Sequence, residues 1–229
     1  MLPAKPESKP LKLSPSSLNT FRACPRCFWM NVHGHGAPSG PFPSLPGGID
    51  IILKNYYDKH RPALPPILKN KIEAKLVDQA TADRIRKYIY WNDEQTGASL
   101  RGKMDDCFID ETGKLIVMDN KTRGFPLKEE PSDLDDIYAF QLDAYAFLLK
   151  QNGHTVSNVG YLVYYIPEQT DDIEKGVRFG VHLKKLKLNP DRVPEVFRAA
   201  VKVAQHAKPP AKHDECEMCH WIAAMQGEI

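Results

Sequence analysis

The sequence predicts an α/β domain with a mixed β-sheet, and the order of its segments carries that prediction. Residues 100–109 and 114–122 have the composition of two strands joined by a short Asp-Glu-Thr-Gly turn. A strongly periodic helix follows over residues 134–150, and two further β-rich runs occupy residues 156–166 and 177–183. A hairpin followed by a helix and then by more strands implies a sheet that is mixed rather than purely antiparallel.

Three further helices are predicted around this core. The first begins after Ser14, a good N-cap residue, and runs to about residue 30. The second spans residues 49–59, where apolar residues recur at helical spacing, and the last spans residues 190–206. Residues 1–12 alternate proline with lysine and are expected to form a flexible tail, so residues 13–229 should form a single domain.

Composition indicates a soluble globular protein. The 229 residues are 42% hydrophobic and 26% charged, and 31 basic against 29 acidic residues give a net charge of +2. This balance excludes a disordered chain, a collagen-like fibre and a disulfide miniprotein. No apolar run approaches the ~20 residues that span a bilayer, and no signal-peptide pattern is visible, so we expect a cytoplasmic protein without a membrane partner.

Two carboxylates and a lysine are predicted to converge on the hairpin. Asp119 and Lys121 share one face of their strand because side chains alternate with period two. The turn at residues 110–113 brings the preceding strand alongside, so Asp105 can approach Asp119. Carboxylates with a neighbouring lysine suit a hard divalent cation that acts on phosphate.

An Asp-x-Lys pair on a strand is often only a solvated surface pair, which is the alternative interpretation. The apolar run at residues 115–118 favours the functional one, because it marks a strand buried on both faces whose terminal charges need partners. Asp106 is a rival to Asp105, but it has the opposite strand parity.

The motifs Gly102-x-x-Asp105 and Asp119-x-Lys121-Thr resemble those of the PD-(D/E)XK phosphodiesterases, in particular the RecB-like nuclease branch. Gln141-x-x-x-Tyr145 resembles the Q-x-x-x-Y motif on the following helix of that branch. The segment from Ser14 to Phe28, which contains Leu18, Phe21 and Cys24-Pro25, is similar to the opening segment of the same branch. The resemblance covers roughly residues 14–222.

This resemblance implies a restriction-endonuclease-like core with a mixed central β-sheet flanked by helices. It also implies a metal-dependent DNA nuclease that hydrolyses phosphodiester bonds. We expect an exonuclease on single-stranded or end-resected DNA, in repair, recombination or CRISPR-type adaptation. The implied site residues are Asp105, Asp119 and the backbone carbonyl of Asn120 as Mg²⁺ or Mn²⁺ ligands, Lys121 as helper of the attacking water, and Gln141 and Tyr145 as positioning residues.

One position departs from the resembled family. Those nucleases place a His or Glu as an additional metal ligand after a glycine in the helix before the hairpin, where this chain has Asp50. A carboxylate in place of an imidazole keeps the ligand and favours an oxygen-only Mg²⁺ shell. The alternative is that Asp50 merely decorates its helix.

Four of the five cysteines form two C-x-x-C pairs at opposite ends of the chain, which are Cys24 with Cys27 and Cys216 with Cys219. In a reducing cytosol this pattern favours a metal over disulfides, and four thiolates suit either zinc or a 4Fe-4S cluster. RecB-like nucleases of CRISPR spacer acquisition carry such a cluster between chain ends, usually from one N-terminal and three C-terminal cysteines. The two-and-two arrangement here shifts weight toward zinc. Either metal would join the terminal segments structurally.

Basic residues near the predicted site are candidates for DNA phosphate contacts, and they are Arg101, Lys103 and Arg123. No P-loop motif is present, so a helicase or a recombination or adaptation factor would be a separate partner protein. The rival function is a non-catalytic, nuclease-derived scaffold that is stapled by metal and binds DNA or protein. An RNA-binding protein whose terminal segments are joined by zinc is a third hypothesis, and it would require the Asp-x-Lys strand to be a coincidence.

Overall fold

The computed structural model describes residues 10–36, 44–125 and 133–225, and these residues fall into two compact units. The terminal unit draws on Met1–Ala37, Tyr90–Arg101 and Pro194–Ile229, and the central unit on Pro38–Ile89 and Gly102–Val193. Most of the predicted tail, residues 1–9, lies outside the described residues, and the first strand begins at Lys12. The single domain over residues 13–229 stays a prediction.

A five-stranded mixed sheet forms the core of the central unit and confirms the predicted α/β class. Its strand order is β2-β5-β6-β7-β8. The strands are β2 (Lys75–Leu76), β5 (Asp106–Ile109), β6 (Leu115–Thr122), β7 (Val159–Pro167) and β8 (Phe179–Lys187). The β6–β7 pairing is parallel, and the other three are antiparallel. The parallel pair requires a crossover, which contains the long helix α5 (Asp133–Gln151).

The turn between β5 and β6 has the chemistry that its sequence predicts. The side chain of Asp110 accepts hydrogen bonds from the backbone amides of Thr112 and Lys114 at 2.9 and 3.0 Å. Gly113 adopts a φ of +82°, a left-handed conformation that glycine tolerates without steric cost. The hairpin is thereby fixed, and it sets Met118 opposite Asp106.

The continuous strand predicted over residues 100–109 is wrong, because the chain breaks between two sheets at residues 103–105. β4 (Ser99–Gly102) pairs in a three-stranded sheet, whereas β5 starts at Asp106. Asp105 therefore lies in the bend that precedes β5 and is not a strand residue. The alternation rule could not detect the break, since it does not show which sheet each of two consecutive short strands joins.

Two helices of the central unit pack with this sheet. α3 spans Ser44–Asp58 and so begins five residues before the predicted start at residue 49, and α4 spans Gln79–Arg86. The core on this side contains buried apolar side chains from α3 and the sheet, including Leu53, Tyr57, Leu76, Phe108, Met118, Val163 and Tyr165.

The terminal unit combines a small sheet with four helices. Its sheet has the order β1-β4-β3, with β1 at Lys12–Leu13 and β3 at Ile89–Asn92. Its helices are α1 (Pro15–Ala23), α2 (Pro25–Val32), α6 (Val193–Ala204) and α7 (Glu217–Met225). The predicted last helix over residues 190–206 thus divides into a short 3₁₀ turn, Pro190–Arg192, followed by α6.

The single first helix that the sequence predicts is split in two at Cys24. The residue before a proline is driven out of the helical region, and Cys24 has φ −159° and ψ 105°. Its thiol then caps α2 by accepting a hydrogen bond from the amide of Cys27 at 3.3 Å. The Ser14 N-cap is confirmed, because its hydroxyl accepts from the amide of Ser17. Among the described residues, no helix has the length and apolarity needed to cross a bilayer.

An ion pair between a buried carboxylate and an exposed arginine in the terminal unit gives a pH-dependent prediction. Arg198 Nη2 donates to Asp93 Oδ1 at 2.9 Å, and this bond is the largest cause of the lowered pKa of Asp93. A lowered carboxyl pKa adds stability above the ordinary value of 3.8, and that stability is lost as the pH falls through the folded-state pKa. Arg198→Ala should therefore lower Tm near pH 7 and lose most of that effect well below pH 3.8. Thermal melts across pH test this, with the exposed Lys202→Ala on the same helix as control.

Candidate active site

The second half of β6 presents a buried carboxylate beside a lysine. Asp119 is only 4% exposed, and the ammonium of Lys121 forms an ion pair with its Oδ2. Both side chains lie on one face of the strand, as period-two alternation requires. Gln141 on α5 joins them: its Nε2 donates to Asp119 Oδ1 at 3.3 Å, and its Oε1 accepts from Lys121 Nζ at 3.2 Å.

Helix α5 supplies further contacts to the same lysine and glutamine. Gln141 Nε2 also donates to the hydroxyl of Tyr145 at 2.9 Å, because residues four apart share one helix face. Lys121 Nζ lies 4.3 Å from the ring centroid of Tyr138, one turn earlier. The lysine is thus held by a carboxylate, an amide and an aromatic face.

Asp105 approaches β6 from the bend before β5. Its Oδ2 accepts a hydrogen bond from the backbone amide of Asn120 at 3.1 Å, so it reaches the strand beside Asp119. Its Oδ1 lies 3.6 Å from Lys54 Nζ on α3, and the same ammonium lies 2.6 Å from Asp50 Oδ2. Sequence reasoning missed Lys54, although its i, i+4 spacing from Asp50 was a readable signal.

Burial raises the pKa values of Asp119 and Asp105, and repulsion from neighbouring carboxylates adds to it. Burial is the largest cause at Asp119, repulsion from Asp105 adds to it, and Lys121 opposes both, leaving the pKa at about 6. Burial likewise raises the pKa of Asp105, against the attraction of Lys54. Carboxylates held together in this way gain most from a cation that stabilises their charged forms.

The residues present fit a hard divalent cation. The donor set is made of carboxylate oxygens, which Mg²⁺ and Mn²⁺ prefer. Apart from the Lys121 ion pair, Asp119 Oδ2 has no hydrogen-bond donor among the described residues. Among the described residues, the carboxylates of Asp50, Asp105 and Asp119 do not form a group in which all three lie within 4.8 Å of one another. The ammonium of Lys54 stands between the first two, where it supplies positive charge.

The rival carboxylate, Asp106, is fully buried in a separate ion-pair network. It is hydrogen-bonded by Arg61 and, at 2.9 Å, by Arg86 Nη2. Both arginines also bind Asp58, at 2.9 and 2.8 Å, so the four charges alternate around a closed ring. Arg86 Nε additionally donates to the backbone carbonyl of Asp105 at 3.1 Å. This network could not be predicted from local sequence patterns, because its members come from the end of α3, the following turn, α4 and β5.

A pair of buried phenols supports the other face of β6. The hydroxyl of Tyr57 is hydrogen-bonded to that of Tyr165 and donates to Asn120 Oδ1 at 3.2 Å. Burial raises the pKa values of both phenols, so both are neutral donors. The amide nitrogen of the Asn120 side chain has no acceptor among the described residues.

The three predicted DNA-contact residues are divided between the two units. Arg123 directly follows the end of β6, and its guanidinium lies 5.9 Å from the ring centroid of Tyr164. Lys103 Nζ lies 4.4 Å from the ring centroid of Tyr88. Arg101 belongs to the terminal unit.

The four predicted cysteines come together within the terminal unit. Their sulfur atoms all lie within 4.8 Å of one another, with Cys24 3.6 Å from Cys219 and Cys27 3.6 Å from Cys216. Burial raises the pKa of Cys27. At Cys216 burial also raises the pKa, but hydrogen bonds from the Cys219 backbone and the other thiols outweigh it and lower the pKa to about 7. The cluster has the number and type of ligands for a tetrahedral zinc ion or a 4Fe-4S cluster.

Comparisons with known proteins identify the family. None of the curated proteins compared with this chain matches it. One similar solved structure, described as "Crystal structure of SSO0001", is 16% identical, with a TM-score of 0.49 over 97% of this chain and 89% of that chain. The sequence profile of the PD-(D/E)XK nuclease superfamily matches residues 12–224. Because that match covers nearly the whole chain, the chain belongs to the PD-(D/E)XK nuclease superfamily.

Proposed function

We propose that this chain, whose superfamily consists of metal-dependent nucleases, is an Mg²⁺- or Mn²⁺-dependent deoxyribonuclease of the RecB-like branch. Its substrate is single-stranded or end-resected DNA, which it degrades as an exonuclease. The observation that carries the proposal is the convergence of Asp105 and Asp119 on β6 beside Lys121, with a pKa near 6 at Asp119. Such a group of carboxylates needs a cation and suits phosphodiester hydrolysis.

The metal ligands in this proposal are Asp119, Asp105 and the backbone carbonyl of Asn120, with Asp50 completing the set. When bound, the divalent ion supplies charge neutralisation at the phosphate and lowers the pKa of a water molecule. The ammonium of Lys54 neutralises the charges of Asp50 and Asp105 in the metal-free protein. Metal binding in this proposal requires that ammonium to leave the carboxylate oxygens. The buried phenols keep Asn120 in place on the opposite face.

Lys121 assists the attacking water and stabilises the negative charge that develops on the phosphate. Gln141 fixes the direction of that ammonium, because its amide bridges Lys121 and Asp119. Tyr145 in turn fixes the Gln141 amide through its hydroxyl. These positioning contacts matter because a lysine side chain is otherwise flexible.

Contacts with the DNA backbone come from Arg123, Lys103 and Arg101 in this proposal. Phosphate contacts of this kind release counterions, so binding should weaken as salt is raised. The pathway is DNA repair, recombination or CRISPR-type adaptation in the cytoplasm. A separate helicase or a recombination or adaptation protein provides the single strand.

A non-catalytic scaffold is the second candidate, and one observation favours it. Each carboxylate of the site already has a lysine partner, since Lys54 serves Asp50 and Asp105 while Lys121 serves Asp119. A site balanced in this way needs no metal to be stable. Divalent-metal binding at these carboxylates separates the two candidates, because a scaffold would keep its lysines in place.

A nuclease assay on anaerobically purified protein tests the proposed function. End-labelled single-stranded and double-stranded DNA would be incubated with Mg²⁺, Mn²⁺ or EDTA. We expect cleavage with either metal, none in EDTA, faster degradation of the single strand and a ladder that starts at one end. DNA binding without cleavage in either metal would overturn the nuclease and support the scaffold.

The cysteine cluster is proposed to hold a 4Fe-4S cluster or a zinc ion as a structural staple. Cys216→Ser should remove the metal and lower Tm, because metal binding to four thiolates is part of the folding free energy. Elemental analysis should find ~4 iron atoms or ~1 zinc ion per wild-type chain, and neither in the variant. Cys107→Ala is the matched control, because that buried cysteine lies outside the cluster. Full metal content in Cys216→Ser would contradict the proposal that the four cysteines hold the metal.

A further inference from the structure

A pocket of about 410 Å³ opens in the central unit at the ends of α3, β6 and β7. This volume lies within the range of about 300–1,000 Å³ that is typical of small-molecule sites. The lining is almost wholly apolar, and it includes Leu45, Ile49, Thr122, Tyr165, Val177 and Phe179. Leu45 is 73% exposed and Val177 is 46% exposed, so apolar side chains form the mouth of the pocket.

Two elements of the candidate active site also form this pocket. On α3, Ile49 lines the pocket, and the next residue, Asp50, forms an ion pair with Lys54. On β6, Thr122 lines the pocket, and the preceding residue, Lys121, binds Asp119. Because strand side chains alternate, Lys121 faces one side of β6 while Thr122 faces the pocket on the other. The pocket therefore opens at the same end of β6 as Lys121, on the opposite face of the strand.

We propose that this pocket binds one unstacked nucleobase of the strand that the active site cuts. The inference rests on the proposed function and specifies its substrate: a nucleic acid with an unpaired nucleotide next to the scissile phosphate. A nucleobase is the flat, largely apolar part of a nucleotide, and aromatic and aliphatic surfaces bind it without regard to sequence. The half-buried ring of Phe179 and the aliphatic side chains of the lining supply such a surface.

Charge around the pocket favours a nucleic acid over a protein partner. Arg123 is one of the lining residues, and its guanidinium lies 5.9 Å from the ring centroid of Tyr164, the residue that pairs with Lys121 between β6 and β7. Two residues along a strand span roughly 7 Å, so the two cations are spaced along the strand for successive phosphates. One base would fill the apolar pocket while its flanking phosphates contact the two cations. A protein partner would explain the apolar mouth of the pocket but not the two cations.

A positional scan of the substrate with abasic residues tests the proposal on the wild-type protein. Single-stranded oligonucleotides would each carry one abasic residue at a different position, and cleavage at every phosphodiester bond would be measured with Mg²⁺. We expect cleavage to fall about 5- to 100-fold at one bond, at a fixed distance from the abasic residue in every oligonucleotide. Cleavage that is unaffected by abasic residues at every position would overturn the proposal.

A variant of the pocket mouth gives the second arm. Leu45→Ser combined with Val177→Ser should slow cleavage of the intact strand by a similar factor. On the abasic strand the double variant should cleave no more slowly than the wild type, because the abasic residue has already removed the contact between the base and the pocket. Ile51→Ser is the matched control, since Ile51 is 61% exposed on the same helix but does not line the pocket. Unchanged cleavage by the double variant would overturn the base site and favour a protein partner.

The two levels of proposal fail in different ways. Wild-type protein that cleaves DNA but ignores abasic residues would remove only the base pocket and leave the nuclease standing. Wild-type protein that cleaves no strand in Mg²⁺ or Mn²⁺ would overturn the nuclease and the base pocket together. Melting temperatures of both variants should match the wild type, because the replaced side chains are exposed.

Discussion

Lys121→Met should lower metal-dependent cleavage by about 10²- to 10⁴-fold while the protein stays folded. Methionine keeps the length of the side chain and loses the ammonium that forms an ion pair with Asp119 and donates to Gln141. The chemical step should slow because no cation is left to stabilise charge on the phosphate. DNA binding in EDTA should change little, since Lys121 is only one of several cations near the strand.

The same substitution changes the affinity for metal in a direction that the site predicts. Lys121 opposes the raised pKa of Asp119, so its removal should raise that pKa above 6 and make Mg²⁺ binding depend more steeply on pH, because protons then compete up to a higher pH. Saturating Mg²⁺ at pH 8 should restore metal binding in the variant. It should not restore the cleavage rate, because the ammonium that assists the chemical step is still absent. A rate that recovers fully under those conditions would show that Lys121 serves only the charge balance of Asp119.

Lys150→Met is the control for this experiment. Lys150 is exposed in the last turn of α5 and touches none of the site residues described above. It undergoes the same change of charge and side chain, so any general effect on solubility or DNA affinity should appear there as well. Wild-type cleavage rates in both variants, from preparations purified in parallel, would contradict a catalytic role for Lys121.

The local geometry of the site could be predicted from the sequence where a single element determines it. Strand alternation placed Asp119 and Lys121 on one face, and helical spacing placed Gln141 and Tyr145 together. The spacing of the Gly-x-x-Asp motif does not show why residue 102 is a glycine, but the structure does. A Cβ on Gly102 would lie 2.8 Å from Leu148 Cδ1 and 3.2 Å from Tyr145 Cε1, so glycine allows α5 to pack closely.

Features that depend on several elements were not predictable from local patterns. The break at residues 103–105 separates two segments of equal strand composition, and only their different sheets reveal it. Lys54 and the Arg61–Asp106–Arg86–Asp58 ring required knowledge of how α3 and α4 lie against β5. The cysteine cluster was predictable despite a separation of 195 residues, because thiolate chemistry restricts partners more than sequence distance does.

Arg86→Met should lower the free energy of unfolding by about 3–5 kcal/mol, the range expected when one partner of a buried ion pair is removed. Asp106 has no exposed surface, so losing one of its two arginines leaves a buried negative charge with half of its compensation. Urea denaturation at neutral pH measures the change. Arg84→Met is the control, because Arg84 is exposed in the same turn of α4.

This network should also affect the site, because Arg86 holds the backbone of Asp105. Its Nε donates to the Asp105 carbonyl, and the neighbouring Asp106 is fixed by the ring. In Arg86→Met the Asp105 carboxylate should lose its fixed position, so half-saturating Mg²⁺ should rise more than the maximal rate falls. Arg86→Lys separates the two effects: an ammonium supplies charge to Asp106 but cannot bind three acceptors in the plane of a guanidinium. A lysine variant with recovered stability and still-weakened Mg²⁺ dependence would establish Arg86 as a positioning residue, whereas parallel recovery of both would reduce the network to a stabilising role.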